Sequence, residues 1–178
     1  MKILKDDLNF LTNLSEEFFA QETIVKKLNG FVDNQIKGWE IWLQVEFALF
    51  LFSHSDVAEV EREKRYELDK RMSKDKDICS IDFMIRQKHK QSSIPLEIKQ
   101  HINASHCIRY MLKDIEKYEK VKGSSTTTGR SLWCLGVHPT VEEDYLNKLI
   151  NENKFRDINS AYVFSKNIEG TKLSFTLI

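Results

Sequence analysis

Asp82 and the triplet Glu97-Ile98-Lys99, separated by fourteen residues, form a combination of acids and an amine able to act on a bound substrate. Two carboxylates that meet can hold a hard divalent cation such as Mg²⁺ or Mn²⁺, which takes oxygen ligands and keeps several of its waters. A lysine beside that ion can orient or activate an attacking water and offset the charge that builds on a phosphorane-like transition state. That chemistry is metal-dependent hydrolysis of a phosphodiester. Asp82, Glu97 and the backbone carbonyl of Ile98 are the expected metal ligands, and Lys99 is the expected assistant to water.

Those residues need strands to position them. Ile78 to Ile85 and Ile94 to Lys99 are rich in β-branched and aromatic residues, and both read as strands. Alternation then sends Glu97 and Lys99 to one face and Leu96 and Ile98 to the other. The polar stretch Arg86 to Ser93 turns the chain back, so the two strands form a hairpin that brings Asp82 beside Glu97. The competing reading is an exposed hairpin whose acid and lysine make a surface ion pair worth little. Against it, Glu97 and Lys99 interrupt an apolar strand, where burial of charge without a partner is costly.

Upstream, Trp39 to Phe52 carries a broad helical stripe of Trp39, Trp42, Leu43, Phe47, Phe50 and Leu51, with Glu46 inside it. A carboxylate there needs a partner, a metal or a polar cleft, or it snorkels from the stripe's edge. Val57 to Glu67 reads as the next strand, a long ribbon with Glu61, Glu63, Arg65 and Glu67 on one side and Val60, Arg62, Lys64 and Tyr66 on the other. Glu61 or Glu63 could approach the metal, and Arg65 with Tyr66 could hold a phosphate or stack on a base. The plainer reading is a solvated face. From Arg62 to Lys76 there are seven Lys or Arg against four Asp or Glu, a mildly basic ribbon and loop suited to a phosphate backbone.

On these residues the chain resembles the PD-(D/E)XK nuclease superfamily, which includes restriction endonucleases and junction resolvases. Asp82 matches the first motif acid, Glu97 the second and Lys99 the lysine; Ile81 stands where the family's name has proline. The resemblance spans roughly Gly38 to Pro139. It implies an α/β fold, a restriction-endonuclease-like mixed sheet with an α-β-β-β-α-β core flanked by helices. It also implies a glutamate on the helix before the sheet that points at the metal, for which Glu46 is the natural match, so that Asp82, Glu97, Lys99 and Glu46 form the catalytic set. The helix after the acid-x-lysine strand flanks the cleft in that family, which makes His101, His106 and Arg109 expected substrate contacts. That helix has His106 and Tyr110 where the recombination-exonuclease branch carries a glutamine and a tyrosine.

With 178 residues, 41% hydrophobic and 30% charged, the chain suits one domain. Residues 1–36 form an N-terminal helical region, 37–139 the catalytic core, and 140–178 a C-terminal helix and strands. Basic and acidic residues balance at 27 each, so a nucleic-acid surface, for DNA before RNA, must be a local patch. In the N-terminal region Ser15 is a candidate restart between two helices and Asn29-Gly30 a candidate stop. Asn103 or Ser105 can cap a helix with the stripe Ile108, Met111, Leu112, Ile115 and Tyr118, and Gly123 to Gly129 reads as a flexible loop before a buried strand at Leu132 to Val137. Met1 to Lys5 shows no secretory pattern, and the longest apolar run, Ile41 to Phe52, contains Gln44 and Glu46, so a cytoplasmic protein is expected. Cys79, Cys107 and Cys134 fit neither a disulfide framework nor a zinc spacing and read as small core residues. Other functions compatible with the chain are a silent binding or inhibitory module on the same fold and an RNA endonuclease of the cap-snatching kind. A homodimer or partner subunit is compatible with either.

Overall fold

A computed structural model describes residues 2–67, 78–119, 129–153 and 160–178. The described chain runs α1 (Lys2–Phe19), α2 (Glu22–Asp33), α3 (Glu40–Ser53), β1 (Val57–Glu67), β2 (Ile78–Gln87), β3 (Ile94–Gln100), α4 (Ala104–Tyr118), β4 (Trp133–Pro139), α5 (Glu143–Asn153), a short 3-10 turn at Ser160–Tyr162, β5 (Phe164–Asn167) and β6 (Leu173–Leu177). The six strands form one mixed sheet in the order β1-β2-β3-β4-β6-β5. Only β3 and β4 are parallel, and α4 connects them. Part of the basic loop anticipated after β1, at residues 68–77, and the anticipated loop from Gly123 as far as residue 128 lie outside the described residues.

The sheet is covered on both faces because its central strands are apolar in both directions. On β3, Ile94, Leu96 and Ile98 join the larger core with α1, α2 and α3, whereas the opposite face packs on α4 and α5. In the larger core Phe18 of α1 meets Phe47 of α3 edge-on at 5.1 Å, and Phe47 meets Phe83 of β2 at 5.9 Å. All three rings are fully buried, each contributing about 2–3 kcal/mol by leaving water. This chain of rings ties α3 to the sheet and sets its rotation about its own axis. α3 is apolar on its outer side as well, with Ile41, Leu49 and Phe52 exposed, which is why its sequence shows a broad stripe and no clean amphipathic pattern.

Several local expectations change. The break between the first helices falls at Ala20 and Gln21. Ser15 stays inside α1 by donating its hydroxyl to the Leu11 carbonyl, so its hydrogen bond is satisfied without ending the helix. Gly30 does not stop α2, which runs on to Asp33 with Asn34 as its cap. The chain then turns through Gln35 and Gly38, both at positive φ. Asn103 is the cap of α4, its side chain accepting the His106 N–H at 3.2 Å. Cys107 and Cys134 are buried free thiols, as core residues should be. Among the described residues no helix is long and apolar enough to cross a membrane.

α4 lies close on β4 because Gly136 presents no side chain. A Cβ there would run into the Met111 thioether and come within 3.0 Å of the Cys107 sulfur, both fully buried. Gly136→Ala is therefore expected to cost about 1–3 kcal/mol by overpacking. Gly30→Ala, inside α2 with nothing within 4 Å of the new methyl, should instead gain about 0.5–1 kcal/mol. Urea denaturation of the two variants beside wild type checks both signs.

Candidate active site

β2 and β3 remain paired only as far as Phe83 and Leu96. The next pair in that register, Asp82 and Glu97, stands where the strands part, so from Glu97 to Gln100 β3 has a strand partner on its β4 side alone. The backbone groups on the open edge still need partners. The Asp82 carboxylate accepts the Ile98 N–H at 2.8 Å, and Glu40 in the first turn of α3 accepts the Gln100 N–H at 3.0 Å. The N–H and C=O of one strand residue point to the same edge, so the Ile98 carbonyl opens beside the Asp82 carboxylate.

Opposite Asp82, β1 bends. Glu63 takes a positive φ of 54°, and on either side of it Arg62 pairs with Phe83 and Lys64 with Ile81. Across this point residues of the same parity change cores: Phe83 belongs to the larger one and Ile81 to the one under α4. The ribbon thus turns toward α4 at the residue that carries the first acid.

Lys99 lies at the centre of the cluster. Its ammonium is 3.0 Å from Asp114 on α4, 3.5 Å from Glu97 and 3.8 Å from Glu40. Burial alone would lower the Lys99 pKa, but Asp114, Glu97 and Glu40 outweigh it and hold the amine charged, above the ordinary lysine range. Glu97 is 6% exposed and hydrogen-bonded to Asp82. Burial first, then the Asp82 charge and that hydrogen bond, push its carboxyl from 4.5 up to about 9, with Lys99 pulling the other way. Burial also raises Glu40, against Lys99 and the Gln100 N–H.

Three carboxylates, Asp114, Glu97 and Glu40, therefore surround one ammonium, with Asp82 against Glu97, and the raised Glu97 pKa lets a proton there remove part of the excess negative charge. A divalent cation would fit the donors present. Asp82, Glu97 and the Ile98 carbonyl offer oxygen only, the set that Mg²⁺ or Mn²⁺ takes, with water completing the shell. Among the described residues no group of three or more His, Cys, Asp and Glu side chains stands at ligand spacing. The fit rests on two carboxylates and a carbonyl.

Asp82, Glu97, Ile98 and Lys99 come together as the sequence implied. Glu46 does not join them: it is held by Lys27 and by the Trp42 indole N–H at 3.0 Å. Six residues along a helix is two-thirds of a turn out of phase, so the acid that α3 turns to the sheet is Glu40. Glu40 extends the line of buried Leu43, Phe47 and Leu51 by one more turn at the helix start, but the apolar stripe is broad enough to leave Glu46 at its margin as well. Asp114 was likewise missed, although Cys107, Met111, Asp114 and Tyr118 are spaced four, three and four along the buried face of α4.

The expected substrate contacts divide. Tyr66 is buried with its hydroxyl on the Met84 sulfur at 3.4 Å, which leaves no ring face for a base; the bend at Glu63 turned it inward. Arg65 is exposed on β1. Glu61 pairs with Lys64 and Glu63 with Arg62 in solvent. His101 packs beside His106 at 4.8 Å and Tyr110 at 5.8 Å, and its Nδ1 accepts the Asn103 N–H. Arg109 lies over the Tyr110 ring with its Nε buried and, among the described residues, without a hydrogen-bond partner.

The architecture these observations define is a mixed α/β sheet with an acid-rich, lysine-centred cluster where two strands part. Comparison of the chain with protein-family models, with curated proteins and with solved structures finds no match in any of the three.

The raised Glu97 carboxyl has a consequence for stability. Between pH 4.5 and about 9 the folded protein keeps a proton on Glu97 that the unfolded chain has released, so this group's contribution declines as pH rises through that window. Glu97→Gln, a neutral mimic, is expected to gain stability over wild type as pH rises above 4.5, with a slope of up to about 1.4 kcal/mol per pH unit, and nothing below pH 4.5. Urea denaturation of both proteins in EDTA across pH 4–9 tests this; a constant difference would mean that Glu97 is ordinary.

Proposed function

We propose that this protein is a divalent-metal-dependent nuclease of the PD-(D/E)XK kind, a DNA endonuclease acting in the cytoplasm. The observation that carries the reading is the meeting of Asp82 and Glu97 beside Lys99 where β2 and β3 part. The order α3-β1-β2-β3-α4-β4 is also the order that the resemblance implies.

Asp82, Glu97 and the Ile98 carbonyl would hold the metal. When bound, it supplies Lewis acidity and makes a water nucleophilic near neutral pH. Lys99, kept charged by its three carboxylates, serves as a fixed donor toward a phosphate oxygen or the attacking water and not as a proton acceptor. Asp114 and Glu40 position that amine, and Glu40 also fixes the end of β3 through Gln100. With no net charge to attract a polynucleotide, binding falls to local features such as exposed Arg65 and the His101–Arg109 region. An acid, not a histidine, faces the cluster from α3, which favours DNA cutting over the cap-snatching type of RNA endonuclease.

The test is cleavage of plasmid, single-stranded DNA and RNA with Mg²⁺, Mn²⁺ or EDTA. Cutting should require metal, fall by roughly 10²–10³ in Lys99→Ala, fall also in Glu40→Gln, and stay near wild type in Glu46→Gln. Inactivity of the wild type on every substrate would leave the fold as a binding module.

A further inference from the structure

A cavity of about 450 Å³ opens at the end of β3, lined by Gln100, the residue after Lys99. Its volume is that of a small-molecule site. Gln100 and Pro139, the last residues of β3 and β4, both line it. It therefore lies at the carboxyl ends of the two parallel strands, where open α/β sheets bind their ligands. The floor and walls are apolar, formed by Ile36, Leu173, and Phe31 stacked on Trp39 at 5.4 Å with planes 22° apart. Trp39 is itself covered, whereas Phe31, which also meets Trp42 edge-on at 4.7 Å, is half-buried and keeps part of its ring exposed.

The charge on the lining is of one sign. Lys37 and Lys172 stand exposed at the cavity, no acidic side chain lines it, and among the described residues neither lysine has an ion-pair partner. Glu40 joins this cavity to the cluster: it follows Trp39 in the chain, accepts the Gln100 N–H, and lies 3.8 Å from Lys99. Strand alternation puts Lys99 and Gln100 on opposite faces, so the cluster and the cavity flank the same strand end. A flat apolar group that carries an anion suits a lining that combines an aromatic wall with two exposed lysines.

We propose that the cavity receives one nucleobase of the substrate strand, against Phe31, with the flanking phosphates on Lys37 and Lys172. The proposal rests on the nuclease reading and adds to it a base pocket beside the scissile phosphate. The strand must then be single-stranded or locally opened at that nucleotide, because a paired base cannot enter.

The test measures binding without cleavage. Fluorescence anisotropy of the full chain in EDTA compares a labelled ten-nucleotide thymidine strand with an abasic strand of equal length, which keeps every phosphate. The base-bearing strand should bind roughly tenfold more tightly, the effect of one stacked base. Phe31→Leu should erase that preference, and Ile36→Glu, at an exposed position where folding is spared, should erase it too. Lys37→Ala with Lys172→Ala should weaken both strands alike. Equal binding of the two strands by wild type would overturn the pocket, as would a preference that survives Phe31→Leu and Ile36→Glu. Metal-dependent cutting of plasmid by a protein that binds neither strand would also overturn the pocket and leave the nuclease reading intact. Failure to bind and to cut would remove both.

Discussion

The open edge of β3 is the constraint on which the rest of this structure depends. A strand in the middle of a sheet ordinarily gives its amides to neighbours on both sides, but beyond Leu96 the β2 side is vacant. Carboxylates from two other elements take the places of the missing carbonyls, Asp82 at Ile98 and Glu40 at Gln100. Hydrogen bonds to a charged acceptor are stronger than the neutral ladder bonds they replace, so β3 can be left open without instability. The same substitution gathers acids at one end of one strand. Parting of the strands and convergence of the carboxylates are a single structural fact.

Gathered acids repel, and the surrounding structure shows how that repulsion is handled. Lys99 reaches into the group from the strand itself and is shared by Asp114, Glu97 and Glu40. One ammonium cannot balance four carboxylates, and the most buried of them, Glu97, keeps a proton well above the usual carboxylate range. A buried ion cluster with more acid than base is a poor way to stabilise a fold, because desolvation consumes most of the attraction. Its presence beside an open strand edge is better explained by a function that needs negative charge there.

Packing around the cluster decides which groups take part in it. The rings of Phe18, Phe47 and Phe83 fix how α3 is rotated, and that rotation turns Glu40 to the sheet and Glu46 to Lys27. Gly136 lets α4 approach β4 closely enough to bring Asp114 onto Lys99. The bend at Glu63 draws Tyr66 into the core under α4 and leaves Arg65 outside.

Residue pattern alone was enough for the core order α3-β1-β2-β3-α4-β4 and for the expectation that Glu97 and Lys99 share a face with Asp82 opposite Glu97. Alternation has a period of two and the intervening stretch Arg86 to Ser93 can only reverse the chain, so both statements follow from neighbours in sequence. Long-range packing, in contrast, makes Glu40 and not Glu46 the acid of α3, adds Asp114 to the group, and buries Tyr66. Each of those depends on how an element is rotated or bent against partners distant in the chain. Local periodicity identifies the apolar stripe of a helix, but when the stripe is as broad as that of α3, it does not fix which acid at its margin faces inward.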